Sequence, residues 1–496
     1  MSQKNEIILN LTALIITGCI MAWIISILRG YDTQIVPTQT TSPTSSVTST
    51  PIPTPIAQAR ISFGDSILIE QEENNTKNTQ FQEAKKSGVQ AMATRNYARA
   101  ITEFERAIKN YRNAPETLIY LNNAKICDEK AYTIAVVAPI GTTYQNLALQ
   151  VLRGVAQAQD EINKAGGING VPIKIAIVND DDDKEIAKKI ATDLAKNPEI
   201  LGVIGHFSSS TTLAAREIYE SEKLVAISST STSVELSQSK NQSRYVFRTV
   251  PSDAFAANEL AKYMLNILNK KKAAVFYDSG SSYSNSLKNA FEVEISQNGG
   301  NLVDYFDFSS PNFNADANVK QAIDRGAEVL MLAAPDDKLK LVLNIINSNN
   351  KQLKLLGGDA LYNKDILQYG QDKAVDMVIA IAWLLDANLN SKYVKESRQL
   401  WGADVDWNAA ITYDASQAFI EALKRNPNPT RSAIQQTLSS PNFSASGVSQ
   451  TIQFLPSGDR SGGVQLVQIK SVTNSRSQTG YDFVPVEKMN SVVNRP

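Results

Sequence analysis

Two clusters of hydroxyl side chains are the residues of this sequence best suited to bind a small ligand. Ser208–Thr212 follows an apolar run at 200–205, and Ser228–Ser233 follows a second apolar run at 224–227. Hydroxyls and free backbone N–H groups at the start of a helix form a neutral cradle for an anion such as a carboxylate. The alternative is that these residues only cap helices. If both runs are parallel strands of one sheet, both clusters should face one crevice.

The composition argues against several other kinds of chemistry. The chain of 496 residues carries 49 Lys and Arg, 50 Asp and Glu, and a single histidine, His206. A near-neutral charge without a long basic block gives no electrostatic basis for nucleic-acid binding. With one histidine and no recognisable catalytic motif, we expect a binding protein without catalytic residues, metal or cofactor. We assign His206 a structural role at the end of its strand.

An acidic run, Asp180–Asp183, has the composition of a cation-binding loop. It follows a predicted strand and precedes a predicted helix, where carboxylates complement the partial positive charge of the helix N-terminus. We therefore interpret this run as the start of a helix rather than as a calcium site.

The elements that would position these residues alternate regularly from Tyr132 onward. Short β-rich runs alternate with amphipathic helices, which is typical of a doubly wound parallel sheet. A second array of the same kind begins after Pro251. The strands are predicted at 132–138, 173–178, 200–205 and 224–228 in the first array and at 273–278, 302–308 and 329–333 in the second. Two such arrays predict an α/β fold of two lobes with a cleft between them.

Residues Val137–Asp414 resemble a known family, the leucine/isoleucine/valine-binding proteins of ABC transporters and the related ligand-binding domains of metabotropic glutamate receptors. The resemblance lies in four stretches whose order and spacing match the family: Arg153-Gly154 with Glu161-Ile162-Asn163 and Gly166–Gly170; Val203–Ser210; Ile227–Thr232; and Phe247-Arg248-Thr249. This type I periplasmic binding protein family implies two Rossmann-like lobes joined by three hinge crossings. We place the crossings near Val250, Trp383 and Phe454.

The resemblance also implies a set of ligand-binding residues. Ser209 would bind the α-carboxylate of an amino acid, and Thr232 and the backbone at Thr230 would share its carboxylate and ammonium. From the second lobe, Asp359 would pair with the ammonium and Tyr283 would cover the ligand. The loop at 141–146 departs from the branched-chain binders and offers only Tyr144 as an aromatic, so the side chain that is recognised stays open.

The N-terminal residues predict attachment to a membrane. Ile7–Leu28 is uncharged and mostly aliphatic, and its length of about 33 Å would span a hydrocarbon core of about 30 Å. Ile16–Cys19 resembles a lipobox, which would place a lipidated Cys19 at the mature N-terminus. Because the apolar run continues past Cys19, we favour an uncleaved signal anchor. The Ser/Thr/Pro-rich stretch Pro37–Pro55 should form an extended, disordered stalk.

A short helical module is predicted between the stalk and the lobes. Gly88, Tyr97, Ala100, Phe104 and Ala107 fall at the spacings of a tetratricopeptide repeat. About one and a half repeats are present, and one such unit cannot bury its own apolar face. The module should pack either on the C-terminal domain or on a second protein.

These observations divide the chain into four parts: an anchor at 1–30, a linker at 31–75, a tetratricopeptide-like segment at 76–130 and a two-lobed domain at 131–496. Lobe 1 is predicted at 131–250 and 383–454, and lobe 2 at 251–382 and 455–496. We expect a membrane-anchored protein whose soluble part, outside the cytoplasm, binds an amino acid or similar small polar solute. Its partner would be an ABC permease or a membrane signalling protein. The alternative is a scaffold that binds protein partners, since a tetratricopeptide-like segment joined to this fold occurs in outer-membrane activators of peptidoglycan synthases.

Overall fold

The computed structural model describes residues 60–70, Glu72, 78–238 and 244–486. The predicted anchor at 7–28, Cys19 and the stalk at 37–55 lie outside these ranges. Within them, no helix combines the length and the apolar character needed to cross a bilayer.

The first lobe is built on a six-stranded sheet with the strand order β1-β3-β2-β4-β5-β6. Its strands are β1 (Ile61–Ser62), β2 (Tyr132–Ala138), β3 (Ile173–Asn179), β4 (Ile200–Ile204), β5 (Val225–Ser228) and β6 (Val246–Arg248). All neighbouring strands are parallel except β1, which runs antiparallel to β3. Every residue of β2 is buried, as expected of a parallel strand covered by helices on both faces. Those helices are α4 (Gln145–Lys164), α5 (Lys184–Lys196) and α6 (Ser209–Ser221).

The second lobe contains a seven-stranded sheet with the order β15-β14-β11-β10-β9-β7-β8. Its strands are β7 (Lys272–Tyr277), β8 (Asn301–Asp307), β9 (Val329–Ala333), β10 (Lys354–Gly357), β11 (Val378–Ile381), β14 (Gln465–Ser471) and β15 (Tyr481–Pro485). Strands β7 to β11 are parallel, and β14 and β15 extend the sheet as antiparallel strands. Its helices are α7 (Asp253–Lys262), which continues as a π-helical turn at Tyr263–Ile267, α8 (Ser282–Gln297), α9 (Ala315–Asp324), α10 (Leu339–Asn349) and α11 (Gln371–Ala374). The predicted α/β class with two sheets is thus confirmed.

The chain passes from the first sheet to the second after β6, returns after β11 and passes again after β13. The returning segment holds α12 (Lys392–Trp401), α13 (Trp407–Lys424), α14 (Arg431–Leu438), β12 (Ala445–Ser446) and β13 (Thr451–Ile452). Helix α13 packs closely on α4, where a Cβ at Gly154 would overlap the backbone at Ala409.

Two buried ion pairs join the segments that cross between the sheets. Arg248, at the end of β6, lies 2.6 Å from Asp459, and Arg460 lies 2.6 Å from Asp414 on α13. Arg460 also donates to the carbonyl oxygen of Thr249. Because buried charges are stable only when paired, these contacts fix the crossing segments relative to lobe 1.

Residues 60–70 and Glu72, the described part of the predicted linker at 31–75, belong to lobe 1. Ile61 and Ser62 pair with Val178 and Ile177 at the edge of the sheet, and Ile69 is buried. Strand β1 thereby pairs with an edge of the sheet that would otherwise be exposed.

The predicted helical module consists of α1 (Thr79–Ala93), α2 (Tyr97–Asn110) and α3 (Pro115–Ile126). Gly88 on α1 lies against the ring of Phe104 on α2, so a small residue faces a large one as the spacing predicted. Helix α3 packs on α4 and β3, and Asn123 bonds the backbone of Ile175 in both directions, at 2.8 and 3.1 Å. Of the two packing alternatives, the module therefore packs on the host domain.

A buried charge cluster fastens this module to the chain that precedes it. Lys85 on α1 lies 2.6 Å from Glu72 and 2.5 Å from Glu116, and the side chains of all three residues are fully buried. Burial alone would lower the pKa of Lys85, but Glu116 and Glu72 raise it above its ordinary value. Lys85 also donates to the carbonyl oxygen of Ile69.

We predict that Lys85→Ala lowers the free energy of unfolding by about 3–5 kcal/mol, because it leaves two buried carboxylates without a cation. Urea unfolding followed by circular dichroism measures the change. Lys86→Ala, at the exposed neighbouring position, is the control and should have little effect. Equal stabilities of the two variants would contradict a stabilising role for this cluster.

Candidate functional site

A cavity of about 410 Å³ lies between the two lobes. Its lobe 1 wall is formed by the segment before α4, the ends of β4 and β5 and the first residue of α13. The lobe 2 wall is formed by the segments that follow β7, β9 and β10. In both parallel sheets these are the carboxyl ends of the strands, where open α/β folds bind their ligands.

Helix α6 begins at this cavity, which places the first hydroxyl cluster there. Ser208 caps the helix by accepting from the Thr211 N–H at 3.2 Å, and Ser209 and Ser210 line the cavity. The Ser209 hydroxyl accepts from the Ser233 N–H at 3.3 Å, which joins the two predicted clusters. The helix N-terminus therefore offers N–H groups and a hydroxyl to an anion in the cavity.

His206 positions the loop that leads into α6. Its ring is fully buried, with Nδ1 2.6 Å from the Asp180 carboxylate and Nε2 2.9 Å from the Tyr219 hydroxyl. The hydroxyls of Ser228 and Thr212 donate to its carbonyl oxygen. The structural role assigned to His206 agrees with these contacts.

The second hydroxyl cluster contributes less than the sequence suggested. Thr230 lines the cavity, and its hydroxyl donates to the Phe207 carbonyl oxygen at 2.6 Å. Thr232, by contrast, is buried at 4% exposure and is not among the lining residues. Its carbonyl oxygen accepts from the Asp253 N–H at the start of α7. Thr232 thus contacts the start of α7 instead of lining the cavity.

The lobe 2 residues implied by the resemblance, Tyr283 and Asp359, both line the cavity. Asp359 follows β10, and Tyr283 lies in the first turn of α8, with its hydroxyl against Gly358, where a Cβ would overlap it. Burial raises the pKa of Asp359 to about 6, although the neighbouring Tyr283 hydroxyl opposes part of this rise. Four of the five predicted ligand-binding residues therefore meet in one cavity.

Sequence reasoning missed several lining residues. Asp336 and Asp337 follow β9, Trp407 begins α13, and Asp182 belongs to the acidic run, of which Asp183 caps α5. Burial, followed by the charge of Asp359, raises the pKa of Asp336 to about 7, and burial raises that of Asp182 to about 6. Polar residues directly after a parallel strand are the signal that could have located Asp336.

The lobes touch at the edge of the cavity. The Ser210 hydroxyl donates to the Ser282 hydroxyl at 3.2 Å, and the Val234 N–H donates to the Ser286 hydroxyl at 2.9 Å. Both bonds join lobe 1 to α8 of lobe 2, so the two walls are in direct contact at this edge of the cavity.

Two α/β lobes with a polar cavity between them define a two-lobed binding protein. The sequence model of the periplasmic binding protein family matches residues 131–475. The chain therefore belongs to the periplasmic binding protein family.

Curated relatives are similar over part of their length. An amino acid binding protein of Pseudomonas aeruginosa is 30% identical over 197 residues, which are 40% of this chain and 52% of that protein. A Leu/Ile/Val-binding protein homologue of Brucella melitensis is 26% identical, over 49% of this chain and 65% of its own length. The leucine-specific-binding protein of Salmonella typhimurium is 24% identical, over 55% and 73%.

Solved structures share the fold. An ABC transporter substrate-binding protein of Desulfitobacterium hafniense in complex with Leu has a TM-score of 0.61 and 24% identity, and the match covers 72% of this chain and all (100%) of that one. A solute-binding protein of Rhodopseudomonas palustris in complex with 3,4-dihydroxybenzoic acid has a TM-score of 0.59 and 16% identity, over 70% and 94%. Because the same fold holds such different ligands, the ligand of this chain has to be inferred from its own cavity.

We predict that the ligand-free protein becomes less stable as the pH rises from 5 to 8. Asp336 and Asp253 have pKa values of about 7 and Asp182 and Asp359 of about 6, all above the ordinary 3.8. The folded protein thus binds these protons more tightly than the unfolded chain, and the free energy of unfolding falls between about pH 4 and 7. Melting temperatures across this range measure the effect.

Asp336→Asn should remove the part of this loss of stability that comes from Asp336. It should stabilise the protein at pH 8 by about 1–3 kcal/mol, since each pKa unit corresponds to about 1.4 kcal/mol before solvent screening, and change little at pH 4. Asp324→Asn, whose side chain is 60% exposed, is the control. A pH dependence of the melting temperature that is the same in Asp336→Asn as in the parent would contradict the assignment.

Proposed function

We propose that this protein binds an amino acid between its lobes, outside the cytoplasm, for ABC-type uptake or for sensing. The observation that carries the proposal is the placement of Asp359 and the N-terminus of α6 on facing walls of one cavity. An amino acid carries an ammonium and a carboxylate on the same carbon, and these two groups match the two walls.

The carboxylate would lie at the start of α6. Ser209 and Ser210 offer N–H groups there, and the helix of 13 residues favours a negative charge at this end. Thr230 lines the same wall, but its hydroxyl already donates to Phe207. We therefore assign carboxylate binding mainly to Ser209 and the adjoining backbone.

The ammonium would lie against Asp359. A desolvated ammonium requires a partner, and within the described ranges no Lys, Arg or His forms an ion pair with Asp359. Tyr283, beside Asp359, would close the cavity over the ligand from lobe 2.

We also propose how the cleft is held at the membrane. An uncleaved helix at 7–28 would anchor the protein, and the stalk at 37–55 would hold the lobes away from the membrane. The partner would then be an ABC permease or a membrane signalling protein. The tetratricopeptide-like module would serve as a support for lobe 1, because α3 is buried along its length.

We predict that Asp359→Ala weakens amino-acid binding by about 2–5 kcal/mol, the range for removing one partner of a buried charge pair. Ser209→Ala should cost less, about 1–3 kcal/mol, because backbone N–H groups continue to bind the carboxylate. A thermal-shift screen of amino acids identifies the ligand, and isothermal titration then measures each variant.

The exposed residue Asp324 provides the control variant, Asp324→Ala, which should bind like the parent. Circular dichroism verifies that each variant is folded. If Asp359→Ala binds the ligand as tightly as Asp324→Ala does, the ammonium assignment fails, and a neutral or anionic solute becomes the better proposal.

Ligand binding should also close the cleft, because the proposed contacts are divided between the lobes. Small-angle scattering of the protein with saturating ligand should give a smaller radius of gyration than without it. Asp359→Ala at the same ligand concentration should stay at the ligand-free value. An unchanged radius in the parent at saturation would indicate that the lobes are locked, as expected of a scaffold.

A further inference from the structure

The cavity holds more negative charge than a neutral amino acid can balance. Five carboxylates line it: Asp182 from lobe 1 and Asp278, Asp336, Asp337 and Asp359 from lobe 2. The lining residues with positive charge are Lys184 and Lys338.

Lys338 is already engaged by two of these carboxylates. Its ammonium lies 2.8 Å from Asp337 and 3.2 Å from Asp278. Asp278 also accepts from the Gly280 N–H at 2.9 Å and from the Ser309 hydroxyl at 2.5 Å. These bonds hold the pKa of Asp278 below its ordinary value despite its burial. Asp278 and Asp337 thus belong to the protein's own ion-pair network.

Asp182, Asp336 and Asp359 have no such partner. Within the described ranges, none of the three forms an ion pair with a Lys, Arg or His side chain, and Lys184 is exposed. Asp182 accepts a hydrogen bond from the Thr211 hydroxyl at 3.2 Å, and Ser208 also hydrogen-bonds it, but neither partner carries a charge. Their charges are close enough to interact, because Asp359 and Asp182 both raise the pKa of Asp336.

A zwitterion supplies one ammonium and one carboxylate, so its net charge is zero. Its ammonium would balance Asp359, while its carboxylate would be held by α6. Asp336 and Asp182 would then remain as uncompensated carboxylates in a closed cavity, which is costly. A second positive charge on the ligand would remove this cost.

The aromatic lining suits the stem of such a ligand. Tyr144 and Phe207 lie with ring centroids 6.0 Å apart, and Trp407 lines the same wall. Aromatic faces attract organic cations and pack against the methylene groups that carry them. A second cavity of about 340 Å³ shares Phe207, Trp407 and Asp336 with the first, which leaves room for a long side chain.

We propose that the ligand is an amino acid whose side chain carries a second positive charge, of the lysine, ornithine or arginine class, with Asp336 and Asp182 as the partners of that charge. This inference rests on the proposed function, because it assumes that Asp359 and α6 hold the α-ammonium and α-carboxylate.

L-Lysine and L-norleucine form a matched pair of probes, since norleucine has the same carbon chain without the terminal ammonium. Isothermal titration of the full-length protein at pH 7.5 should show lysine binding at least 100-fold more tightly than norleucine. Arginine and ornithine should bind with affinities similar to that of lysine, and leucine with an affinity similar to that of norleucine.

Asp336→Asn should weaken lysine binding at least tenfold and leave norleucine binding unchanged or stronger. Asp324→Asn, at the exposed position, should leave both affinities as in the parent. Because removing the Asp336 charge should stabilise the fold, its effect on lysine reports on recognition rather than on unfolding.

The possible failures are distinguishable. Leucine or norleucine could bind as tightly as lysine, with both affinities unchanged in Asp336→Asn. The ligand then needs no second positive charge, while the proposed function stands. If none of the amino acids binds, both this inference and the proposed function are wrong. Cadaverine, which is lysine without its carboxylate, would overturn the amino-acid assignment by binding as tightly as lysine. Tight binding of calcium chloride that competes with lysine would instead identify the carboxylates as a metal site.

Discussion

The rest of the structure depends on one electrostatic constraint, the burial of carboxylates between two lobes that close on each other. Asp182 comes from lobe 1, and Asp336 and Asp359 come from lobe 2, so closing the cleft brings their like charges together and removes water from them. Each of these changes raises the free energy of the closed state unless a cation is present. A cationic ligand would lower the free energy of the closed state instead, because its charge is attracted to all three carboxylates. Recognition and closure would then share one physical cause.

Buried ion pairs hold one part of the structure rigidly, whereas weaker contacts join the parts that have to move when a ligand enters. The buried pairs Arg248–Asp459 and Arg460–Asp414 fix the crossing segments, and His206 with Asp180 and Tyr219 fixes the loop before α6. Across the cleft, by contrast, the bonds Ser210–Ser282 and Val234–Ser286 join neutral groups, which cost little to separate in water. The arrangement is therefore rigid where the α-carboxylate would be held and easily opened where the ligand has to enter.

Much of the fold could be predicted from the sequence, because parallel strands buried on both faces leave a strong apolar signal. The strand predicted at 132–138 is β2, and the strand predicted at 329–333 is β9. Helix α6 begins at Ser209, within the first hydroxyl cluster, since Ser and Thr have weak helix propensity but cap helices well. The charge and the aromatic lining of the cavity could not be predicted. Asp182, Asp336 and Trp407 lie far apart in the sequence and meet only when both lobes are assembled. Thr232 shows the converse: a residue in the expected motif is buried against the start of α7 and does not line the cavity.

Proton release on ligand binding tests the central claim most directly. Asp336, with a pKa of about 7, and Asp182 and Asp359, with pKa values of about 6, are partly protonated at pH 6.5 when the cavity is empty. A cation that binds among them should lower these pKa values and expel protons. Titration of L-lysine at pH 6.5 in two buffers with different ionisation enthalpies should therefore give different apparent enthalpies that correspond to net proton release. The difference should be smaller at pH 7.5, where the carboxylates are mostly ionised and the α-ammonium of lysine is still protonated. Equal apparent enthalpies at pH 6.5, with lysine bound, would contradict the account.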